Sequence, residues 1–443
     1  MSGTLQPAGD RLRAGVQLIR VDDGASIWGQ HFDVARTDLL SLEDSIADRV
    51  AVALQPRLTA DQRARLARRF TSNPAAYEHY LRGRAAMLLL TKTDTARAVG
   101  EFEAAITSDP SYALARAGLA NAAALMAIRF ASKEEISTWK ARAMQQAEEA
   151  LRLAPDLAEA HEAMAAIYRY GEFDWEKVMD ESGRAIALNP DLELAHDYRG
   201  AAALHLGLLP LAEREARIAM DIDPQRPVES LRIAGVANLF DGHYAEAVRL
   251  LHEVATRTDI GDYYLGLAYF CDGRTADAHQ LLSRLGGGET RNARAAAAWA
   301  SMLAATGHRD EAARLADRVA HGPLIDHHVA YSLGAAYAQL GNAQEALRWL
   351  DQATRTGFPC YPWFTRDPLL QPLRSDARFS ALLERLRVQH AGWVGRWGIN
   401  ASARSNTPTG PPRRSPIRSR CLLARERSWS LPPPSRRART PRC

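Results

Sequence analysis

The chain has 443 residues, 47% hydrophobic and 24% charged, with a formal net charge of +4. That composition excludes wholesale disorder, and the length calls for two or three domains or one extended array. The longest small and apolar run, residues 295–305, falls well short of the roughly 20 residues of a membrane helix, and the opening stretch MSGTLQPAGDRLR has no apolar core of a leader.

The first elements are short. Residues 11–21 alternate as a strand with Leu12, Ala14, Val16 and Leu18 on one face, and residues 25–32 read as the return strand. Asp22-Asp23-Gly24 between them is a hairpin turn. A helix follows over 38–54, with Leu39, Leu42, Ile46, Val50 and Leu54 at helical spacing, and a second over 59–70 opens on Asp61 and Gln62. A hairpin with one or two helices is too small to fold alone.

From there the sequence repeats. A small residue at one point of a helix recurs as Ala98, Ala143, Val178, Ala212, Ala247, Ala278, Ala312 and Ala346, at intervals of 45, 35, 34, 35, 31, 34 and 34. Twelve residues before it stands Leu-Gly or a near equivalent, as in Leu265-Gly266 and Leu333-Gly334. Several repeats end in Asp109-Pro110, Ala154-Pro155, Asn189-Pro190 or Asp223-Pro224, because proline is tolerated in the first turn of the next helix. A period of 34 is that of the tetratricopeptide repeat, in which small residues let two helices approach and each pair buries its apolar face against the next. The 45-residue interval is an insertion carried around residues 130–136. The expected fold is therefore all-α: a right-handed α-solenoid of about eight helix pairs over 72–390 with a capping helix. A small N-terminal unit over 1–70 precedes it, and a tail over 391–443 follows.

The tail sets the charge. Residues 401–443 hold 11 Arg, one acidic residue (Glu426) and eight of the 22 prolines, so this +10 segment leaves −6 on the rest. It is expected to be disordered. It is read either as a basic arm or as an extension without a role, and a mildly acidic body is not the footprint of a nucleic-acid-binding domain.

The stretch GDRLRAGVQLIRVDDGASIWGQHFD, then DLLSLEDSIADRVAVAL and NPAAYEHYLRGR, resembles bacterial proteins in which a TolB-like domain precedes tetratricopeptide repeats. FEAAITSDPSYALARAGLA, FDWEKVMDESGRAIALNPDLELAH and DPLLQPLRSDARFSALLERL extend the resemblance over about residues 9–388. In that family the TolB-like domain is longer and commonly follows a winged-helix, adenylate cyclase or serine/threonine kinase domain. The resemblance implies that this chain begins inside the TolB-like domain, so the effector activity does not carry over.

No catalytic constellation is legible. His321, His327 and His328 cluster near Asp326, but a vicinal His pair lacks the i, i+4 spacing that aims two imidazoles at one ion, so no metal is expected. His161-Glu162 lacks a second histidine, Ser182-Gly183 is no nucleophile elbow, and Glu134-Glu135 and Glu148-Glu149 read as solvated helix faces. The four cysteines show no CxxC spacing, which suits a reducing compartment; Cys271 reads as a small buried hydrophobe and Trp175 as an anchor between helices. No cofactor is expected.

Binding is the better reading. The resemblance implies that the second, fifth, ninth and twelfth repeat positions of each first helix line a groove. They include Asp197, Leu204, Arg232, Leu239, Tyr263, Phe270, Arg294, His328 and Tyr331. Of these, Arg232, Tyr263 and Tyr331 combine ring area with a carboxylate clamp suited to a peptide segment. The expected function is a non-enzymatic, cytoplasmic scaffold for a protein partner, with no nucleic acid and no membrane. Two alternatives stay open: a truncated transcriptional regulator or signalling enzyme of the cyclase or kinase type, and a role in envelope assembly.

Overall fold

A computed structural model describes residues 2–20, 23–35 and 70–399, apart from 90, 226, 258–262, 288–291 and 324, and in addition positions 42, 45, 46, 49 and 50. The chain divides into two compact units, one holding the N-terminal sheet and the other running from Phe70. The expected helix over 59–70 falls outside the described residues except at its last position, and the tail over 401–443 does so entirely. The expected helix over 38–54 is described only at those five positions, which are helical.

In the first unit, β1 (Ser2–Ala8), β2 (Arg11–Ile19) and β3 (Ser26–Ala35) form an antiparallel sheet in that order. Ala14, Val16 and Leu18 are buried as their alternation requires, and Ala14 pairs with Phe32 across the ladder. Gly24 takes φ +71° in the turn, where Arg20 N–H donates to the Ala25 carbonyl at 2.7 Å. β1 is the element that the sequence reading lacked. SGTLQPA does not alternate, and its Pro7 is compatible with a strand only at a sheet edge, which is where β1 lies.

The second unit is the α-solenoid. Its eight helix pairs are α1 (Pro74–Met87) with α2 (Lys92–Ser108), α3 (Ala113–Arg129) with α4 (Ile136–Leu153), α5 (Ala158–Ile167) with α6 (Trp175–Leu188), and α7 (Glu193–His205) with α8 (Leu209–Ile222). They continue as α9 (Val228–Asp241) with α10 (Tyr244–Arg257), and α11 (Tyr263–Cys271) with α12 (Thr275–Gly286). The last are α13 (Ala293–Ala305) with α14 (Arg309–Ala320), and α15 (His327–Gln339) with α16 (Ala343–Thr356). All eight recurrent small residues, Ala98 to Ala346, are at most 1% exposed. The glycine of the first helix explains the close approach. A Cβ on Gly266 would stand 2.5 Å from Leu282 Cγ, and Gly235 and Gly334 meet Leu251 and Leu350 in the same way. Within the third pair His161 bonds to Glu181 at 2.6 Å and to the Pro155 carbonyl; within the fourth, His196 bonds to Glu215 at 2.7 Å and to the Pro190 carbonyl.

Beyond the repeats come α17 (Tyr361–Arg366), a 3₁₀ turn (Pro368–Leu373) and α18 (Ala377–Trp397). Helix α18 runs past the expected boundary at 391. This segment does more than cap the last pair: it reaches back to repeats 3, 4 and 5. Trp175 Nε1 donates to the Gly357 carbonyl at 2.6 Å, Arg366 to the Phe240 carbonyl at 3.2 Å, and Arg396 pairs with Asp180 at 2.7 Å.

Candidate functional site

The first helices of the pairs turn one face toward residues of distant repeats, and polar groups gather there in three places. The first lies across repeats 3, 4 and 5. After α5 the backbone makes a π turn over Tyr168–Glu172, which carries Arg169 and Tyr170. The Arg169 guanidinium pairs with Glu229 of α9 and lies 4.8 Å from the Tyr170 ring centroid and 5.3 Å from that of Tyr198. Arg232 takes the same carboxylate at 2.7 Å, and Ser230 Oγ donates to Asp197 Oδ1 at 2.7 Å. Burial alone would raise Glu229, but the Arg232 and Arg169 charges hold it far below the ordinary range, so it is ionised. Asp197 and Glu162 are instead pushed up by burial, to about 7 and about 8, against the weaker pull of Ser230 on the first and of Arg84 and Asn121 on the second.

The second place joins repeats 6, 7 and 8. Tyr263 is 8% exposed and stacks on Tyr264 with centroids 4.2 Å apart. Arg294 donates to Asp326 at 2.6 Å with 43% of its side chain exposed. The three expected groove residues are therefore not equivalent. Arg232 is 30% exposed, whereas Tyr263 and Tyr331 are both buried; Tyr331 sits between Phe358 and Phe364 and donates its hydroxyl proton to Asp367 Oδ2 at 2.7 Å. The chain's own C-terminal segment packs over Tyr331.

The third place is a cluster of three imidazoles that sequence reading did not assemble. His205, at the end of α7, lies with Nε2 3.4 Å from Nε2 of His328, in the first turn of α15 and 123 positions away. His327 completes the group, and one ligand atom from each of the three lies within 4.8 Å of the others. His321 stands apart: its imidazole is 78% exposed and bonds within its own turn. The vicinal pair converges because Asp326 caps α15, accepting from His328 N–H and Val329 N–H, and leaves the two rings with centroids 4.2 Å apart. Nothing in the local sequence marks His205, since its neighbourhood to α15 exists only once five repeats have stacked.

Trp175 anchors elements as expected, stacking on His205 at 3.9 Å between centroids. Cys271 and Cys360 are free thiols, both pushed up by burial, Cys360 to about 12, which makes them packing groups.

No family model matches the chain. Among curated proteins, putative adenylate cyclase 3 of Rhizobium meliloti (strain 1021) is 27% identical over 119 residues, which is 27% of this chain and 20% of that protein. The chain thus spans about a fifth of the length of the curated relative it matches. Several solved structures are similar to it. PilW, a type IV pilus biogenesis factor, is 18% identical at a TM-score of 0.37, covering 48% of this chain and 93% of its own. YrrB, a TPR protein with an unusual peptide-binding site, is 19% identical at 0.30, covering 48% and 98%. Human IFIT1, as a dimer with PPP-AAAA, is 16% identical at 0.41, covering 71% and 84%.

Proposed function

We propose that the solenoid is a non-enzymatic scaffold of the tetratricopeptide kind and holds an extended, carboxylate-bearing protein segment against the first helices of repeats 3 to 7. The observation that carries this reading is the interleaving of guanidinium and ring along that face. Arg232 and Arg294 keep 30% and 43% of their side chains exposed, among Tyr170, Tyr198, Tyr263 and Tyr264. The rings are largely buried (Tyr198, Tyr263 and Tyr264 are at most 8% exposed) and give the face its rigid floor, while a guanidinium fork fixes a carboxylate in register. Burial keeps Glu162 largely protonated near neutral pH, which lessens repulsion of an acidic partner. In this reading Tyr331 contacts the partner only if residues 358–373 withdraw from it.

Selection of a displayed random-peptide library on the full chain tests the reading, with affinities then measured by fluorescence anisotropy. The expected outcome is a convergent acidic consensus whose binding falls at least tenfold in the Arg232→Ala/Arg294→Ala variant, with the far-ultraviolet dichroism unchanged. Peptides without a consensus, or an affinity indifferent to both arginines, would overturn it.

The match to putative adenylate cyclase 3 favours a second reading, in which the chain is the sensing half of a signalling protein whose TolB-like domain continues upstream. DNA sequence 5′ of the Met1 codon decides it. An in-frame cyclase, kinase or winged-helix segment supports this reading, and an unrelated gene ending short of that codon removes it.

A further inference from the structure

We propose that His205, His327 and His328 form a binding site for a borderline divalent transition-metal ion, zinc foremost, that fastens repeat 4 to repeat 8. The geometry carries it. Two imidazole nitrogens bound to one tetrahedral ion at about 2.0–2.1 Å lie about 3.4 Å apart. Nε2 of His205 and Nε2 of His328 are already 3.4 Å apart. His327 supplies the third donor. It is 1% exposed, and neither of its ring nitrogens makes a hydrogen bond of good geometry, although the Thr356 backbone approaches the ring. A buried polar group left in that condition is destabilising, and coordination would satisfy it.

The outer partners suit ligation. Nδ1 of His205 lies 2.7 Å from the Ala201 carbonyl, which can only accept, so Nδ1 carries the proton and Nε2 presents its lone pair. Nδ1 of His328 lies 3.0 Å from the Tyr264 hydroxyl, which can accept as well as donate. Without an ion, Tyr264 donates to His328 and His328 donates to His205, a consistent chain of bonds. With an ion, the His328 proton moves to Nδ1 and is donated back to Tyr264. All three rings are held below the ordinary histidine range by burial first, so they are neutral and competent as ligands at neutral pH.

The surrounding backbone is unusual in the same place. Phe173, whose ring meets His327 edge-on at 4.6 Å, is among the described residues the non-glycine one with a left-handed backbone, φ +53°, and the π turn directly precedes it. Gly357 has φ +128°, and a Cβ there would stand 3.2 Å from His327 Nδ1 and 3.3 Å from Trp175 Nε1. Strain of this kind persists where the surroundings over-determine it, and π turns recur at functional sites. Trp175, Phe173, Phe358 and Tyr264 wall the three rings, leaving the fourth coordination position to water or an anion.

The test uses full-length protein without a polyhistidine tag. After dialysis against zinc, elemental analysis is expected to return a single equivalent per chain, and cobalt substitution the visible bands of a four-coordinate nitrogen-rich site. Cobalt is also expected to quench fluorescence through Trp175, which stacks on His205. His205→Gln and His328→Gln should each weaken zinc binding at least a hundredfold, whereas His321→Gln should leave it unchanged. If a core variant fails to fold, X-ray absorption at the zinc edge of the wild-type protein decides. Three imidazoles in the first shell support the site, and an all-oxygen shell, or no retained zinc, overturns it.

Discussion

Tyr331→Phe isolates what a single buried hydroxyl does in this fold. The Tyr331 hydroxyl donates to Asp367 Oδ2 at 2.7 Å, and Asp367 is 1% exposed. Burial pushes Asp367 up to about 6, while Tyr331, the Leu369 N–H and the Arg374 charge pull it back. The folded state therefore binds a proton that the unfolded state releases near the ordinary carboxyl value of 3.8. Stability falls as pH rises through the window from about 4 to about 6 and is level above it. About two pKa units at 1.36 kcal/mol each give roughly 3 kcal/mol. Removing the hydroxyl takes a donor from a carboxylate at pH 8, at a cost of about 1.5–3 kcal/mol, but from a largely neutral carboxyl at pH 5, at about 0.5–1.5 kcal/mol. Urea denaturation followed by tryptophan fluorescence at both pH values should show the larger loss at pH 8, and Asp367→Asn should flatten the window. Equal losses at the two pH values, or a loss below about 0.5 kcal/mol at pH 8, would refute this reasoning.

Other expectations follow from packing and charge. Gly266→Ala drives a methyl into Leu282, whose Cγ would be 2.5 Å away, and should cost about 1–3 kcal/mol in thermal unfolding, with a smaller cost in a Leu282→Ala background. Glu162 sits near 8 in the folded state against 4.5 ordinarily, so its share of stability declines as pH rises between those values. Glu162→Gln should remove that decline and leave the variant more stable than wild type at pH 9 in urea titrations. His196→Ala leaves the buried Glu215 with Arg214 at 2.8 Å as its remaining close partner and should cost about 2–4 kcal/mol, whereas the exposed His252→Ala should change stability by less than about 0.5 kcal/mol in the same assay.

What could be read from the sequence was whatever its local spacing dictates. The recurrent alanines, the Leu-Gly pairs and the proline ends act within one helix pair or on the next, so a period near 34 located all eight pairs and their buried points. The hairpin was legible for the same reason, through alternation and Asp-Gly, whereas β1 was not, because its hydrogen bonds come from a partner rather than from its own pattern. Residues 391–397, AGWVGRW, fall in the expected tail. They are helical in a setting where Trp393 bonds to Glu176 at 3.1 Å and Arg396 to Asp180, more than 200 positions upstream. The imidazole cluster and the burial of Tyr331 belong to this class as well. Both depend on how the stacked repeats bring distant residues together, a sum of small rotations that no single repeat encodes.

That return of the C-terminal segment also decides which residues a partner can reach. Phe358, Trp363, Phe364, Leu369, Leu370 and Leu373 are each at most 3% exposed. At about 1.5–3 kcal/mol per fully buried large apolar side chain, withdrawing them gives up roughly 9–18 kcal/mol. A nanomolar partner gains about 12 kcal/mol in all, and one that first had to empty this site would retain little net affinity. A segment bound by the solenoid should therefore lie on the face of repeats 3 to 7, beside Arg232 and Tyr263, and leave residues 358–373 in place. Hydrogen exchange with and without a selected peptide measures this directly. Protection should grow over α7, α9 and α11, and amides over 358–373 should keep their rates. Faster exchange over 358–373 on binding would mean that the segment is displaced, that Tyr331 is reachable, and that the burial of these six side chains is worth far less than their area implies.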